Sequence, residues 1–117
     1  MKRIFYLSTC DTCKRILNSW NTEGVSLQDI KTVPMTPPQV DAMIAQAGSA
    51  ELLFSKRARK YKELKLKERN LSEEDICGLI LSEYTFLKRP VLVFEDQIFI
   101  GNSTKVVDAA RTFLATK

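Results

Sequence analysis

Apolar and polar positions along this chain follow two rhythms, one near two residues and one near three and a half. Residues 2–7 (Lys-Arg-Ile-Phe-Tyr-Leu) are rich in β-formers and predict a first strand. From Cys13 the period lengthens. Cys13, Leu17 and Trp20 recur at helical spacing, and Asn21 to Gly24 ends that helix. Val25, Leu27 and Ile30 then mark a second strand over residues 25–30. This β-α-β opening has a connection long enough for parallel pairing.

A capping pattern begins the next helix, with Thr36 as N-cap, Pro37 at the first helical position and Gln39 closing a capping box. Val40, Met43, Ile44 and Ala47 form its apolar face, and Gly48 is its stop. The basic segment that follows is expected to be partly helical, with Leu52, Leu53 and Phe54 tucked inward. Ser72-Glu73-Glu74-Asp75 caps a further helix whose face carries Ile76, Leu79, Ile80 and Cys77. Pro90 opens the β-rich run Val91 to Phe94, Glu95-Asp96-Gln97 reads as a hairpin turn, and Ile98 to Ile100 returns as a strand. A last helix begins at Gly101-Asn102-Ser103 and bears Val106, Val107, Ala110, Phe113 and Leu114. The element order predicts an α/β chain of thioredoxin-like fold (β-α-β … β-β-α, mixed sheet) with a helical subdomain inserted in the middle. The single domain would divide into a core at about 1–33 and 88–117 and an insertion at about 36–87.

Composition narrows the chemistry. With 117 residues, 44% apolar and 27% charged, the chain is an ordinary globular domain, and no apolar run reaches membrane-spanning length. The apolar stretch near the N-terminus stops after four residues, too short for a signal peptide, so a cytoplasmic protein is expected. Histidine is absent, which removes Cys-His nucleophile pairs, Cys₂His₂ metal sites and histidine acid–base chemistry. The net charge of +4 is concentrated between Lys56 and Arg69, where eight basic residues face only Glu63 and Glu68. Most of that run is expected to be a solvated face, and direct nucleic-acid binding is not expected.

The stretch Ser8-Thr9-Cys10-Asp11-Thr12-Cys13-Lys14-Arg15 carries the chemistry. A cysteine between a strand and a helix gains from unpaired N–H groups and the positive end of the helix dipole, and only the thiolate is a good nucleophile. Lys14 and Arg15, one turn on, are expected to add positive potential. Cys13 falls on the same side of the first turn, where it can attack an adduct formed on Cys10. Other readings of the pair are a zinc clip, a static disulfide or an inert thiol pair. Zinc needs more ligands than one C-x-x-C and a distant Cys77 supply, and a cytoplasmic setting disfavours a static disulfide.

"STCDTCKRIL", "FSKRARKYKEL" and "LKRPVLVF" together resemble the arsenate reductase-like (ArsC/Spx) family. The resemblance spans nearly the whole chain. It implies Cys10 as nucleophile, Cys13 as the second thiol, Arg89 as an anion-binding arginine and Pro90 as a cis-proline. It also implies a middle arginine at Arg57, with Arg59 as the alternative; an ungapped match places Ser55 there instead. The sequence departs from the reductases where they carry a third arginine, since residues 98–102 read Ile-Phe-Ile-Gly-Asn. Loss of one charge-assisted hydrogen-bonding group of three should weaken arsenate binding by about 1 kcal/mol or more. The resemblance thus implies a monomeric thiol–disulfide oxidoreductase acting on a small oxyanion or a disulfide, without bound metal or organic cofactor. Glutathione or a thioredoxin- or glutaredoxin-type protein would supply electrons. A redox-sensing regulator that binds the RNA polymerase α-subunit, or a non-catalytic member, is the alternative.

Overall fold

A computed structural model describes all of residues 1–117, and it divides into two compact units: residues 1–34 with 89–117, and residues 35–88. No helix is long and apolar enough to cross a membrane.

The first unit is built on a four-stranded sheet of order β2-β1-β3-β4. Strand β1 (Lys2–Tyr6) pairs parallel with β2 (Ser26–Asp29), placing Tyr6 opposite Asp29. It pairs antiparallel with β3 (Val91–Phe94), which in turn pairs antiparallel with β4 (Gln97–Ile100). Helix α1 (Asp11–Ser19) joins the two parallel strands, and the C-terminal helix runs from Thr104 to Thr116 with Ser103 as its N-cap. Ile4, Ile16, Trp20, Val25, Leu92, Val107, Ala110 and Leu114 form one core cluster, edged by Tyr6, Leu17, Phe94, Phe99 and Phe113. The indole N–H of Trp20 donates to the carbonyl of Val107 at 3.2 Å, so its one polar atom is satisfied inside that core. Ile4 and Phe5 are both wholly buried although they point to opposite faces, so the central strand is covered on both sides.

The hairpin between β3 and β4 turns through Glu95 at φ 53°, a left-handed position more often filled by Asn or Gly. Beyond β4, Gly101 stands at φ 92° while its N–H donates to the carbonyl of Pro90 at 2.9 Å. An added Cβ would meet nothing within 4 Å there, so the backbone conformation, and not space, calls for glycine.

One expectation fails in β2. Leu27 is 48% exposed, and its neighbour Gln28 is buried instead. A polar side chain is tolerated inside because its amide is used fully. Its oxygen accepts from Arg3 at 3.3 Å, and its nitrogen donates to the carbonyls of Val33 and Pro34 at 3.1 and 3.4 Å.

In the second unit, helix α2 (Pro37–Ala47) starts with both halves of the Thr36/Gln39 capping box and ends at Gly48 in the left-handed conformation. Helix α4 (Glu73–Ser82) is capped in the same reciprocal way by Ser72 and Asp75. Between them lie α3 (Arg59–Glu63) and two single 3₁₀ turns, Glu51–Leu53 and Leu66–Glu68; a third, Tyr84–Phe86, follows α4. Phe54 stacks on Phe86 with centroids 5.3 Å apart and meets Tyr61 edge-on at 5.9 Å. The backbone binds the same place, since Ser55 N–H donates to Phe86 O at 2.7 Å and Lys88 N–H to Leu53 O at 2.8 Å.

The expected inward triplet of residues 52–54 is corrected at one position. Leu53 and Phe54 are buried, whereas Leu52 is 51% exposed, because a 3₁₀ turn with three residues per turn cannot aim three consecutive side chains inward. Leu53→Ala is therefore expected to lower stability by about 2–5 kcal/mol through the cavity it leaves. Leu52→Ala should stay within about 0.5 kcal/mol. Denaturant unfolding of both variants checks the pair.

Candidate active site

Strand β1 ends at Tyr6, and the chain turns sharply into α1. The N–H of Cys10 donates to Leu7 O at 3.1 Å, and Cys10 O accepts from Lys14 N–H at 3.1 Å as the first bond of the helix. Cys10 is thus the N-cap, in extended conformation, with no side-chain capping hydrogen bond of its own. A cysteine in that place leaves its sulfur beside unpaired N–H groups. Helical geometry then turns Cys13 inward. Cys10 is half-buried and Cys13 is 0% exposed.

The two thiols ionise very differently. Burial opposes the Cys10 thiolate more than any other one influence. It is outweighed by the sum of the Cys13 N–H and thiol, the positive charge of Arg89 and the N–H of Thr12, so the thiol lies below its ordinary value. Burial pushes the Cys13 thiol up to about 11; the Cys10 thiolate adds to the rise, while a backbone hydrogen bond from Leu7 and the charge of Arg89 oppose it. The positive charge acting on the pair is that of Arg89. Lys14 and Arg15, expected to contribute, are exposed on the helix surface, where water screens them.

Arg89 immediately precedes β3 and is joined to Pro90 by a cis peptide bond. Pro90 is buried, whereas Arg89 is half-buried with its Nε shielded from solvent. Cys10, Cys13, Arg89 and Pro90 all belong to the first unit. Arg57 and Arg59 belong to the second, both exposed, Arg57 in the turn before α3 and Arg59 at its start; Ser55 is half-buried. Cys77 lies half-buried on α4, its thiol raised by burial and by the carboxylate of Asp41. The structure contains no group of three or more His, Cys, Asp or Glu residues placed to hold a metal ion.

A further contact precedes the thiols, between Ser8 and Asp29, a residue outside the quoted motifs. The hydroxyl of Ser8 donates to Asp29 Oδ2 at 2.6 Å, and its N–H donates to Asp29 Oδ1 at 3.2 Å. The Ser8 hydroxyl is the largest influence holding the Asp29 carboxyl below its usual range; burial, the next largest, opposes it, and the N–H groups of Ser8 and Lys31 and the Thr32 hydroxyl add to the lowering. The signal for this contact was topological. Parallel pairing of β1 with β2 brings their C-terminal ends together, so a carboxylate ending one strand meets the loop leaving the other.

The inequality of the thiols gives a direct expectation. Alkylation by iodoacetamide at neutral pH should modify Cys10 first, with a pH midpoint below that of a free cysteine (about 8.5). Cys13 should resist until the pH nears the value at which its own thiol ionises or the protein unfolds. Peptide-resolved mass spectrometry across pH reads both.

Comparison with known proteins places this arrangement. The ArsC family model matches residues 5–110, a span holding both cysteines, Arg89 and Pro90. The uncharacterised protein YusI of Bacillus subtilis (strain 168) is 24% identical over 102 residues, covering 83% of this chain and 86% of its own. An ArsC family related protein from Bacteroides fragilis superposes with a TM-score of 0.79 at 23% identity, over 94% of this chain and 98% of that one. A structure described as a possible arsenate reductase, from Streptococcus mutans UA159, does so with a TM-score of 0.71 at 26% identity, over 89% and 92%. With its half-exposed and buried cysteines at the head of α1 and the family model spanning nearly its full length, the chain belongs to the ArsC family of arsenate reductase-like proteins with a thioredoxin-like fold.

Proposed function

We propose that the protein is a thiol–disulfide oxidoreductase in which Cys10 is the nucleophile and Cys13 the resolving thiol. The observation that carries this reading is the opposed ionisation of two thiols one helical turn apart, one half-exposed and lowered, the other buried and raised.

The Cys10 thiolate attacks one sulfur of a substrate disulfide. A Cys10–substrate disulfide forms, the substrate S–S bond breaks, and the other substrate half leaves as a thiolate. Consumption of the Cys10 charge removes two of the influences that raised Cys13, its repulsion and its hydrogen bond, while Arg89 still favours ionisation. Cys13 then loses its proton to water or to the leaving thiolate and attacks the Cys10 sulfur. The Cys10–Cys13 disulfide forms, the second substrate half departs as a thiolate, and two electrons have passed to the substrate. A pair of glutathione thiols, or a dithiol of thioredoxin or glutaredoxin type, returns the pair to its reduced state. Arg89 offsets the negative charge on the reacting sulfurs, or on an oxyanion substrate, in a setting less screened than the surface. Arg57 enters this reading only through the family resemblance. The absence of a third arginine over residues 98–102 favours disulfides over arsenate as substrate.

A second reading draws on the second unit, where all eight basic residues from Lys56 to Arg69 are exposed. A face of that sign suits an acidic protein surface such as a polymerase subunit, with the thiol pair as a redox switch.

Glutathione- or thioredoxin-coupled reduction of a model disulfide and of arsenate is expected to favour the disulfide. Cys10→Ser should abolish turnover, and Cys13→Ser should stop at a mixed disulfide visible by mass. Arg89→Ala should slow the reaction roughly 10- to 100-fold, the worth of a hydrogen bond or ion contact to a charged group. Absence of turnover in the wild type, together with polymerase capture that depends on the thiol state, would transfer the assignment to the regulator.

A further inference from the structure

The loop between β1 and α1 runs from Leu7 to Cys10 and carries the reactive sulfur at its end. Its ends are held by Leu7 and Cys10, through the Cys10 N–H to Leu7 O bond, the Lys14 N–H to Cys10 O bond and the Leu7 backbone bond to Cys13, while its middle is held by a carboxylate from another strand. Both donors of Ser8 are taken by the two oxygens of Asp29, across a sequence separation of 21 residues. The strand ends beneath are already locked, because Tyr6 stands opposite Asp29 and Ile30 N–H donates to Tyr6 O at 2.9 Å. Asp29 is therefore a fixed post, and Ser8 is tied to it two residues before Cys10.

We propose that Asp29 is a positioning residue for the thiol chemistry, acting through Ser8 to fix the Leu7–Cys10 loop and so the placement of the Cys10 sulfur over the first turn of α1. This rests on the reading of Cys10 as nucleophile. The favourable influences on Cys10 come from the N–H groups of Thr12 and Cys13, the Cys13 thiol and Arg89, and all depend on where the sulfur sits. Dipoles of this kind lose most of their effect within a turn, so a loop free to swing the sulfur outward forfeits them.

Asp29 also has a local structural task. Its Oδ1 accepts from Lys31 N–H at 3.2 Å, and its carbonyl accepts from the N–H groups of Thr32 and Val33 at 3.2 and 2.8 Å, shaping the turn after β2. The two roles separate by sign and by variant. As a bare negative charge, Asp29 would disfavour the thiolate, so its removal would make Cys10 more acidic. As a positioning group, its removal makes Cys10 less acidic. Ser8→Ala breaks the tie at Oδ2 and leaves both the charge and the turn in place.

The test compares the pH dependence of Cys10 alkylation in the full-length wild type, Asp29→Ala, Asp29→Asn and Ser8→Ala, with folding checked by circular dichroism and Cys77 as internal control. Asp29→Ala is expected to move the Cys10 profile to higher pH and slow its alkylation at about pH 7 by roughly threefold or more, as thiolate is lost. Ser8→Ala and Asp29→Asn should shift it in the same direction by less, with Cys77 unchanged. A folded Asp29→Ala with an unchanged profile, or one moved to lower pH, overturns the positioning role while leaving Cys10 as nucleophile. Should Asp29→Ala not fold, an unshifted Ser8→Ala profile overturns it. A wild-type Cys10 that titrates like a free cysteine overturns both readings at once.

Discussion

Strand β1 is the constraint from which the rest follows. It has hydrogen-bonding partners on both edges and, at Ile4 and Phe5, wholly buried residues on both faces, so its backbone cannot shift without breaking several interactions at once. Its direction relative to β2 decides what gathers at its C-terminal end. Parallel pairing brings Asp29 beside Ser8 there, while antiparallel pairing brings the start of β3, with Arg89 and Pro90 just before it, to the same end. Three segments far apart in sequence, at Ser8, Asp29 and Arg89-Pro90, meet at one end of the sheet through the pairing of one strand.

On that support, a contest between burial and local donors sorts two chemically identical side chains. Burial resists ionisation of both cysteines. At Cys10 it is partial, and several polar groups together exceed it; at Cys13 it is complete, and the negative charge of Cys10 works in the same direction. The asymmetry comes from a half-buried helix cap, an inward-turned residue three positions on and the charge of Arg89. In the proposed reaction it also makes the second thiol's readiness conditional on the first having reacted, which orders the two steps in time.

The sequence disclosed those parts whose cause is local. Capping boxes at Thr36 and Ser72, the helix stop at Gly48 and the strand-turn-strand around Glu95 are each set by interactions within a few residues. So is the arrangement of Cys10 and Cys13 on one helical turn. Where the cause was distant, reading failed. Leu27 and Gln28 exchange the roles that apolar alternation assigns, because Gln28 finds partners in Arg3 and in the chain at Val33 and Pro34. Lys14 and Arg15 are near Cys10 in sequence, but the influential charge comes from Arg89, 79 positions away (89 − 10). The Ser8–Asp29 tie leaves no motif at all, since either residue alone is commonplace in a loop.

The chain has one tryptophan, and its indole is sealed in the core of the first unit with its N–H on the Val107 carbonyl. The second unit holds only Tyr61 and Tyr84 among indole and phenol chromophores. Tryptophan emission is therefore a reporter confined to the thiol-bearing half, while far-ultraviolet dichroism is weighted by helices of both. Coincidence of the two signals during unfolding would mark a single cooperative molecule, and their separation would mark an insertion that melts on its own account.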